Sequence, residues 1–394
     1  MRTKFYYICL LVLLVSCTDT IVVNIKNENQ GKLIATHKLI MKEEKSFYLD
    51  DNTAPKSPYI QIYEDSSGVR MLTLLNQYTN SIYFYNYETA SYIKNIVYDK
   101  EGPHGILQIE GYYIKNEDSI YLYNRPLIEI ALTDSKSHVN NRYILRSEVP
   151  NWPLYYPQYM LNTICPFIEI NGKLILTGIN PYSISDSLIN KFKFTASIDI
   201  KNGQIEYHYT YPKDLYGSNA NWDDPLYMQA YPELSHTGEI IHSFPMSHNI
   251  YLTKWGSESS RKVYAGSNVA KTIHSIDAVP HRMSEKTIVT HYLQQDLYKA
   301  IRYDPYRKVY YRFMLQGIPD ASLGTSVEKK PVVIIIMDEQ FNYLGESIIG
   351  TGEEWNWKNA FVTHEGLNIE YIEDITKDLN ETYLNLKIFK IEKL

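Results

Sequence analysis

The stretch ILQIEGYYIKNEDSIYLYNRPLIEIALTDSKSHVNNRYILR (106–146) decides the fold. It holds four short apolar runs, at 107–114, 119–123, 127–132 and 142–145, separated by polar breaks at 115–118, 124–126 and 133–141. Runs of this length, rich in Ile and Tyr and broken by Asn, Asp, Pro and Ser, read as strands of an antiparallel meander.

The same rhythm recurs on both sides. Upstream, a unit takes 59–63, 71–75, 81–85 and 92–98. Downstream, a third takes 167–170, 174–177, 194–200 and 205–211, with Asn171-Gly172 as a hairpin turn between apolar runs. A fourth takes Leu234, 239–244, 249–253 and 261–264, and a fifth 287–292, 299–303, 308–314, 332–337 and 343–349. The last, 360–363, 367–372 and 383–391, is one strand short. A closed propeller often completes its final blade with a strand from the amino terminus, which removes an open sheet edge; 32–39 is the candidate. Six units without a long amphipathic helix predict an all-β, six-bladed propeller, with seven blades or β-sandwich domains as alternatives.

Tyrosine is the compositional outlier, at 37 residues against 11 Phe and 5 Trp. Its ring suits a half-buried strand and its hydroxyl finds water or a partner, so strand propensity accounts for most of the excess. The formal charge of −6 has no basic run to set against it, which argues against nucleic acid as a partner.

The chain begins MRTKFYYICLLVLLVSC (1–17). Arg2 and Lys4 precede an apolar run at 5–15, shorter than the roughly 20 residues that span a bilayer. Leu14-Val15-Ser16-Cys17 resembles a bacterial lipobox, which implies cleavage before Cys17 and lipidation of its sulfur. The expected division is a signal peptide at 1–16, a lipidated tether at 17–31 and the propeller at 32–394. The acyl chains would be the membrane anchor, with more than one chain needed for stable attachment. Cys9 leaves with the signal and Cys17 carries lipid, so Cys165 has no partner within the chain and reads as a small buried hydrophobe.

Glycine-bearing connections, DKEGPHGI (99–106) and IGTGEEWNW (349–357), join one unit to the next. Here the chain resembles Bacteroidota-type lipoproteins carrying six-bladed, TolB-like propellers, in which a Glu-Gly-Pro or related turn recurs between blades. It is similar to one of their domain-of-unknown-function families. The resemblance implies the fold, with no established activity and no catalytic residues to carry over.

Candidate contacts come from residue type and loop position. If the connections converge on one mouth of the channel, Glu101, His104 and Glu353 can face it. Trp152 in SEVPNWPLYYPQY (147–159), Trp222 and Asp223 in GSNANWDDPLYMQAY (217–231), and Trp355 beside Trp357 pair aromatic faces with carboxylates. That is equipment for a sugar, whose C–H face lies on a ring while an acid takes its hydroxyls. No GxSxG elbow, HExxH helix or P-loop is present, and the eleven histidines lack metal-ligand spacing. No metal ligand and no cofactor is assigned. Asp223-Asp224 and His281-Arg282 leave room for a hydrolase or lyase with an axial cation. The favoured expectation is an envelope recognition module for a glycan, a peptide or another envelope protein; no catalytic motif is identified, and a binding role is favoured over an enzymatic one.

Overall fold

A computed structural model describes residues 22–53, 57–146, 157–180, 187–217, 220, 222, 225–277, 284–372 and 382–394. Along them, six antiparallel meanders follow one another as the blades of a β-propeller. Blade 1 is Ile60–Glu64, Arg70–Asn76, Ser81–Asn86 and Tyr92–Val97. Blade 2 is Ile109–Asn116, Ser119–Asn124, Glu129–Thr133 and Val139–Ile144. Blade 3 is Lys173–Ile179, Lys193–Asp199 and Ile205–Thr210, with an inner edge split between Gln158–Tyr159 and Ile168–Ile170. Blade 4 is Tyr231–Leu234, Glu239–Ser243, Asn249–Lys254 and Ser260–Tyr264. Blade 5 is Leu297–Asp304, Val309–Leu315, Pro331–Asp338 and Tyr343–Thr351.

Blade 6 takes Trp355–Thr363, Gly366–Tyr371 and Tyr383–Lys393 from the end of the chain and His37–Tyr48 from its beginning. The closing strand therefore exists, but it begins later than the expected 32–39. Residues before it are bonded elsewhere: Leu33 N–H donates to Asn268 Oδ1 and Thr36 N–H to the Leu344 carbonyl. Part of the expected tether is also docked, since Asn24–Ile25 pairs with Ile273–His274.

Strand direction alternates within each blade, so the turn between second and third strands lies at the same end as the crossover to the next blade. This is the crossover end of the ring.

The run 287–292 was expected as a strand for its Thr, Ile, Val and Tyr, and it is helical within Glu285–Gln294. Ser284 caps it by accepting the Thr287 N–H at 3.2 Å, and Lys330 Nζ donates to the Tyr292, Leu293 and Gln295 carbonyls at its other end. Caps at both ends supply partners that β propensity alone ignores. Among the described residues, no helix is long and apolar enough to cross a membrane.

Tyrosine fills the seams between blades. Tyr112 reaches Thr73 Oγ1 at 2.8 Å, Tyr87 donates to Asn368 Oδ1 at 2.8 Å, and Tyr211 donates to the Met228 carbonyl at 2.7 Å. Each ring buries apolar area while its hydroxyl keeps a partner.

His242 packs its ring between Phe194 and Tyr209, with centroids 5.1 and 5.2 Å away, and is 2% exposed. Burial pushes its pKa down to about 3. The unfolded chain takes up a proton near pH 6.5 that the fold refuses, so this contribution is complete above pH 6.5 and is lost as pH falls. The expected slope is about 1.4 kcal/mol per pH unit below 6.5. Urea midpoints at pH 7 and pH 5 check it: His242→Phe should lose one proton's worth of the pH dependence, and an unchanged slope counts against it.

Candidate functional site

A cavity of about 690 Å³ opens at the crossover end of the propeller axis. Its floor is the excursion at 160–167, where the inner edge of blade 3 leaves its own sheet. A tight turn there joins Asn162 and Cys165 by backbone bonds of 3.4 and 3.0 Å. Thr163 then crosses to other blades. Its hydroxyl accepts the Ile60 N–H at 2.8 Å and donates to Asn359 Oδ1 at 2.6 Å, and its carbonyl accepts from Arg302 at 2.7 Å. Arg302 also pairs with Glu233 at 2.9 Å, so the plug ties blades 1, 4, 5 and 6 to blade 3. Leu161 packs with the core of blades 1 and 2, and Ile164 with that of blades 5 and 6. Gly111 permits this close approach: a Cβ there would lie 2.5 Å from Leu161 Cβ.

The walls are built where inner strands break register. In blade 2, Ile109 faces Asn124 and Gly111 faces Tyr123, which leaves Glu110 as the extra residue. In blade 5 the shift falls between Tyr298 and Ile301, where Lys299 and Ala300 stand opposite Phe313 alone. In blade 6 it falls between Asn356 and Ala360, freeing Trp357, Lys358 and Asn359 from the ladder. Glu110, Lys299, Trp357, Lys358 and Asn359 all line the cavity. A bulge turns a side chain away from the alternation of the strand, and here each one aims at the same space.

Glu110 bonds Arg125 through Oε1 at 2.8 Å, while its buried Oε2 has no hydrogen-bond partner among the described residues. Burial raises its pKa against the lowering effect of Arg125. Lys299, almost fully buried, donates to the Tyr292 hydroxyl at 3.0 Å and lies 5.1 Å from that ring's centre. Burial and the nearby Lys299 bring the Lys330 pKa down to about 7. Its three carbonyl acceptors match the three protons of an ammonium, which favours the charged form.

The expected site residues separate. Trp355 lines the cavity beside Trp357, each 8% exposed, with Trp355 held by Tyr371 and Phe389 at 5.0 and 5.3 Å. Glu353 is exposed on the turn that leads to them and does not line the space. Glu101 and His104 are exposed, and His104 Nδ1 accepts the Val139 N–H at 3.0 Å on the outermost strand of blade 2. The 99–106 connection thus runs over the rim of the ring instead of its mouth. Trp222 is 3% exposed and donates its indole N–H to the Leu215 carbonyl, so it packs its loop and offers no open face. Cys17, Trp152, Asp223, Asp224, His281 and Arg282 lie outside the described residues.

Glu110, Lys299, Lys330 and Asn359 were missed. A readable sign existed for two of them: Glu110 and Lys299 are charged residues inside apolar inner strands. Cys165 is fully buried and its thiol is pushed up to about 12, as expected of a packing residue. Among the described residues, one group of acids and histidine has ligand spacing, Glu88, His364 and Glu365, and it lies at the opposite end. Arg70 already contacts Glu88 at 2.8 Å and His364 at 2.6 Å, and Lys45 contacts Glu365 at 2.9 Å.

A family model described as Domain of unknown function (DUF4221) matches residues 36–348. The chain belongs to this family. A crystal structure of a DUF4221 member from Bacteroides vulgatus superposes with a TM-score of 0.75 at 18% identity, over 91% of this chain and 99% of that one. A putative exported protein from Bacteroides fragilis gives a TM-score of 0.55 at 11% identity, over 90% and 96%. Both likenesses speak to the fold. No curated protein matches the sequence.

Proposed function

We propose that this protein is a lipid-anchored recognition module of the bacterial cell envelope, with its ligand held in the axial cavity. The observation that carries this reading is the coincidence of three inner-strand register shifts with the residues that line that cavity. Bulges next to a site re-aim side chains at a cost to sheet pairing, and a ring that only needed filling has no use for three of them at one mouth. Two indole rings beside carboxylate, ammonium and amide groups suit a saccharide or a peptide. Anchoring at Cys17 follows from the lipobox-like leader, and a family fold also found in a putative exported protein supports an address outside the cytoplasm.

Titration of the tryptophan fluorescence with envelope glycans, peptidoglycan fragments and peptides tests the reading. Trp357→Ala and Lys358→Ala are each expected to weaken binding about tenfold or more, equivalent to ~1.4 kcal/mol. Lys358 is exposed, so its loss leaves the core untouched. Binding that survives both changes puts the ligand elsewhere. Stoichiometric metal in protein purified without chelator turns the reading toward a hydrolase or lyase with an axial cation.

A further inference from the structure

The amino-terminal stretch is fixed to the crossover end before it reaches the closing strand. Val23 exchanges bonds with Ser275, its N–H donating to the hydroxyl at 2.9 Å and its carbonyl accepting the Ser275 N–H at 2.9 Å. The Ile25 carbonyl accepts from His248 Nε2 at 3.2 Å, and His248 sits beyond the second strand of blade 4, on a crossover-end turn. Asn27, 9% exposed, donates to the Ser267 and Ala270 carbonyls at 2.8 and 2.9 Å on the crossover from blade 4 to blade 5. The neighbouring His274 N–H donates to Gln295 Oε1, and the Gln295 carbonyl is one of the three acceptors of the cavity-lining Lys330. From Asn27 the chain descends the outside of the ring to Thr36, at the start of the last strand of blade 5, and leaves the cavity behind.

We infer that the cavity mouth is the membrane-proximal face of the anchored protein. This rests on the lipid anchor at Cys17 proposed above. Six residue steps separate Cys17 from Val23, a reach of about 20 Å even when fully extended. The far end of the ring lies on the order of 25 Å deeper, the length of an eight-residue inner strand such as Ile109–Asn116. A tether this short cannot pass around the propeller to its other end. Turning the mouth away from the bilayer would require Val23, Ile25 and Asn27 to give up their bonds.

Exposed apolar residues occur at both ends of the ring, so the tether alone sets the orientation, and the crossover end can rest on the bilayer. Tyr78, Leu127, Leu226 and Leu323 are exposed on turns or crossovers there. They suit the interfacial layer of a bilayer, which accepts tyrosine rings and aliphatic side chains. A ligand then reaches the cavity from the membrane surface, through a gap set by the tether.

The test uses full-length lipidated protein in vesicles of phosphatidylethanolamine and phosphatidylglycerol doped with a nickel-chelating lipid. Spin labels are placed singly at Leu323→Cys, on the cavity side, and at Ser66→Cys, on a turn at the far end; buried Cys165 stays unlabelled. Relaxation by the nickel headgroups is expected to be at least fivefold greater at Leu323→Cys, and twenty Gly/Ser residues inserted after Cys17 should abolish the difference. Equal or reversed relaxation in protein whose intact mass shows the lipid overturns the orientation alone. A mass without lipid, together with protein that does not bind vesicles, overturns the anchor and the orientation together.

Discussion

A chain that begins at residue 49 is expected to lose cooperative folding altogether. His37–Tyr48 pairs with Tyr383–Lys393 along its whole length, from His37 opposite Lys393 to Tyr48 opposite Tyr383. Removing it opens an eleven-residue edge at the place where the ring closes. It also takes Phe47, which is fully buried against Tyr85 and Tyr87 of blade 1 at 5.8 and 6.3 Å. The seam between blades 6 and 1 then loses both its ladder and part of its core. A domain's net stability is only about 5–15 kcal/mol, less than the loss of a whole strand with its packing. The shortened chain should aggregate or elute as an oligomer, and its urea transition should be broad or missing. A chain beginning at residue 37 keeps the strand and should fold, with lower stability from the lost 22–36 contacts. Restored solubility on adding a peptide of residues 37–48 would tie the defect to this edge. A monomeric, cooperatively unfolding chain from residue 49 would mean the ring does not depend on this closure.

How much of this was readable depends on whether local or distant contacts decide. Hairpins were, because their chemistry is local: Asn171-Gly172 takes φ of 51° and 74°, the left-handed pair that a two-residue hairpin requires. The missing strand of blade 6 was readable as a deficit, since a sheet edge at the closure of a ring needs a partner. Its register was not, because Asn268 and Leu344 hold the preceding residues and neither is near in sequence. The helix at 285–294 had a legible cap in Ser284 followed by Glu285, outweighed by the β-branched run behind it.

The site was less readable for the same physical reason. Tryptophan and acid in a loop look alike whether they face a ligand or the core, and Trp222 found the Leu215 carbonyl just ahead of its own loop. Trp355, a candidate by residue type, does line the cavity. What aims Trp357, Lys358 and Asn359 is a three-residue slip against Gly366–Tyr371, and Glu110 and Lys299 depend on similar slips. Such slips are settled by packing across the ring, which no window of sequence contains.

The other large effect is expected at Arg312. This side chain is fully buried on the second strand of blade 5, and its bonds all cross to blade 4. Nε donates to Ser243 Oγ at 3.0 Å, Nη1 to the His248 and Ala265 carbonyls at 3.2 and 3.0 Å, and Nη2 to the Ser247 and Asn249 carbonyls at 2.9 and 3.3 Å. Its plane lies 4.0 Å from the centre of the Tyr298 ring. Burial lowers its pKa to about 10, which still leaves it charged at neutral pH. A guanidinium distributes five donors in a fixed fork, and these acceptors are arranged around that fork. Arg312→Met leaves several buried carbonyls short of a donor, at about 1–3 kcal/mol for each one left unsatisfied. Some keep other bonds, as His248 does with the Ala265 N–H, so the total should be about 4 kcal/mol, at the high end for one substitution. Arg312→Lys should recover less than half, because one nitrogen cannot span acceptors on both sides of the turn. Urea unfolding of the two variants checks this. A loss below about 1 kcal/mol for Arg312→Met would show that blades 4 and 5 are held by their apolar seam, with the arginine adding little.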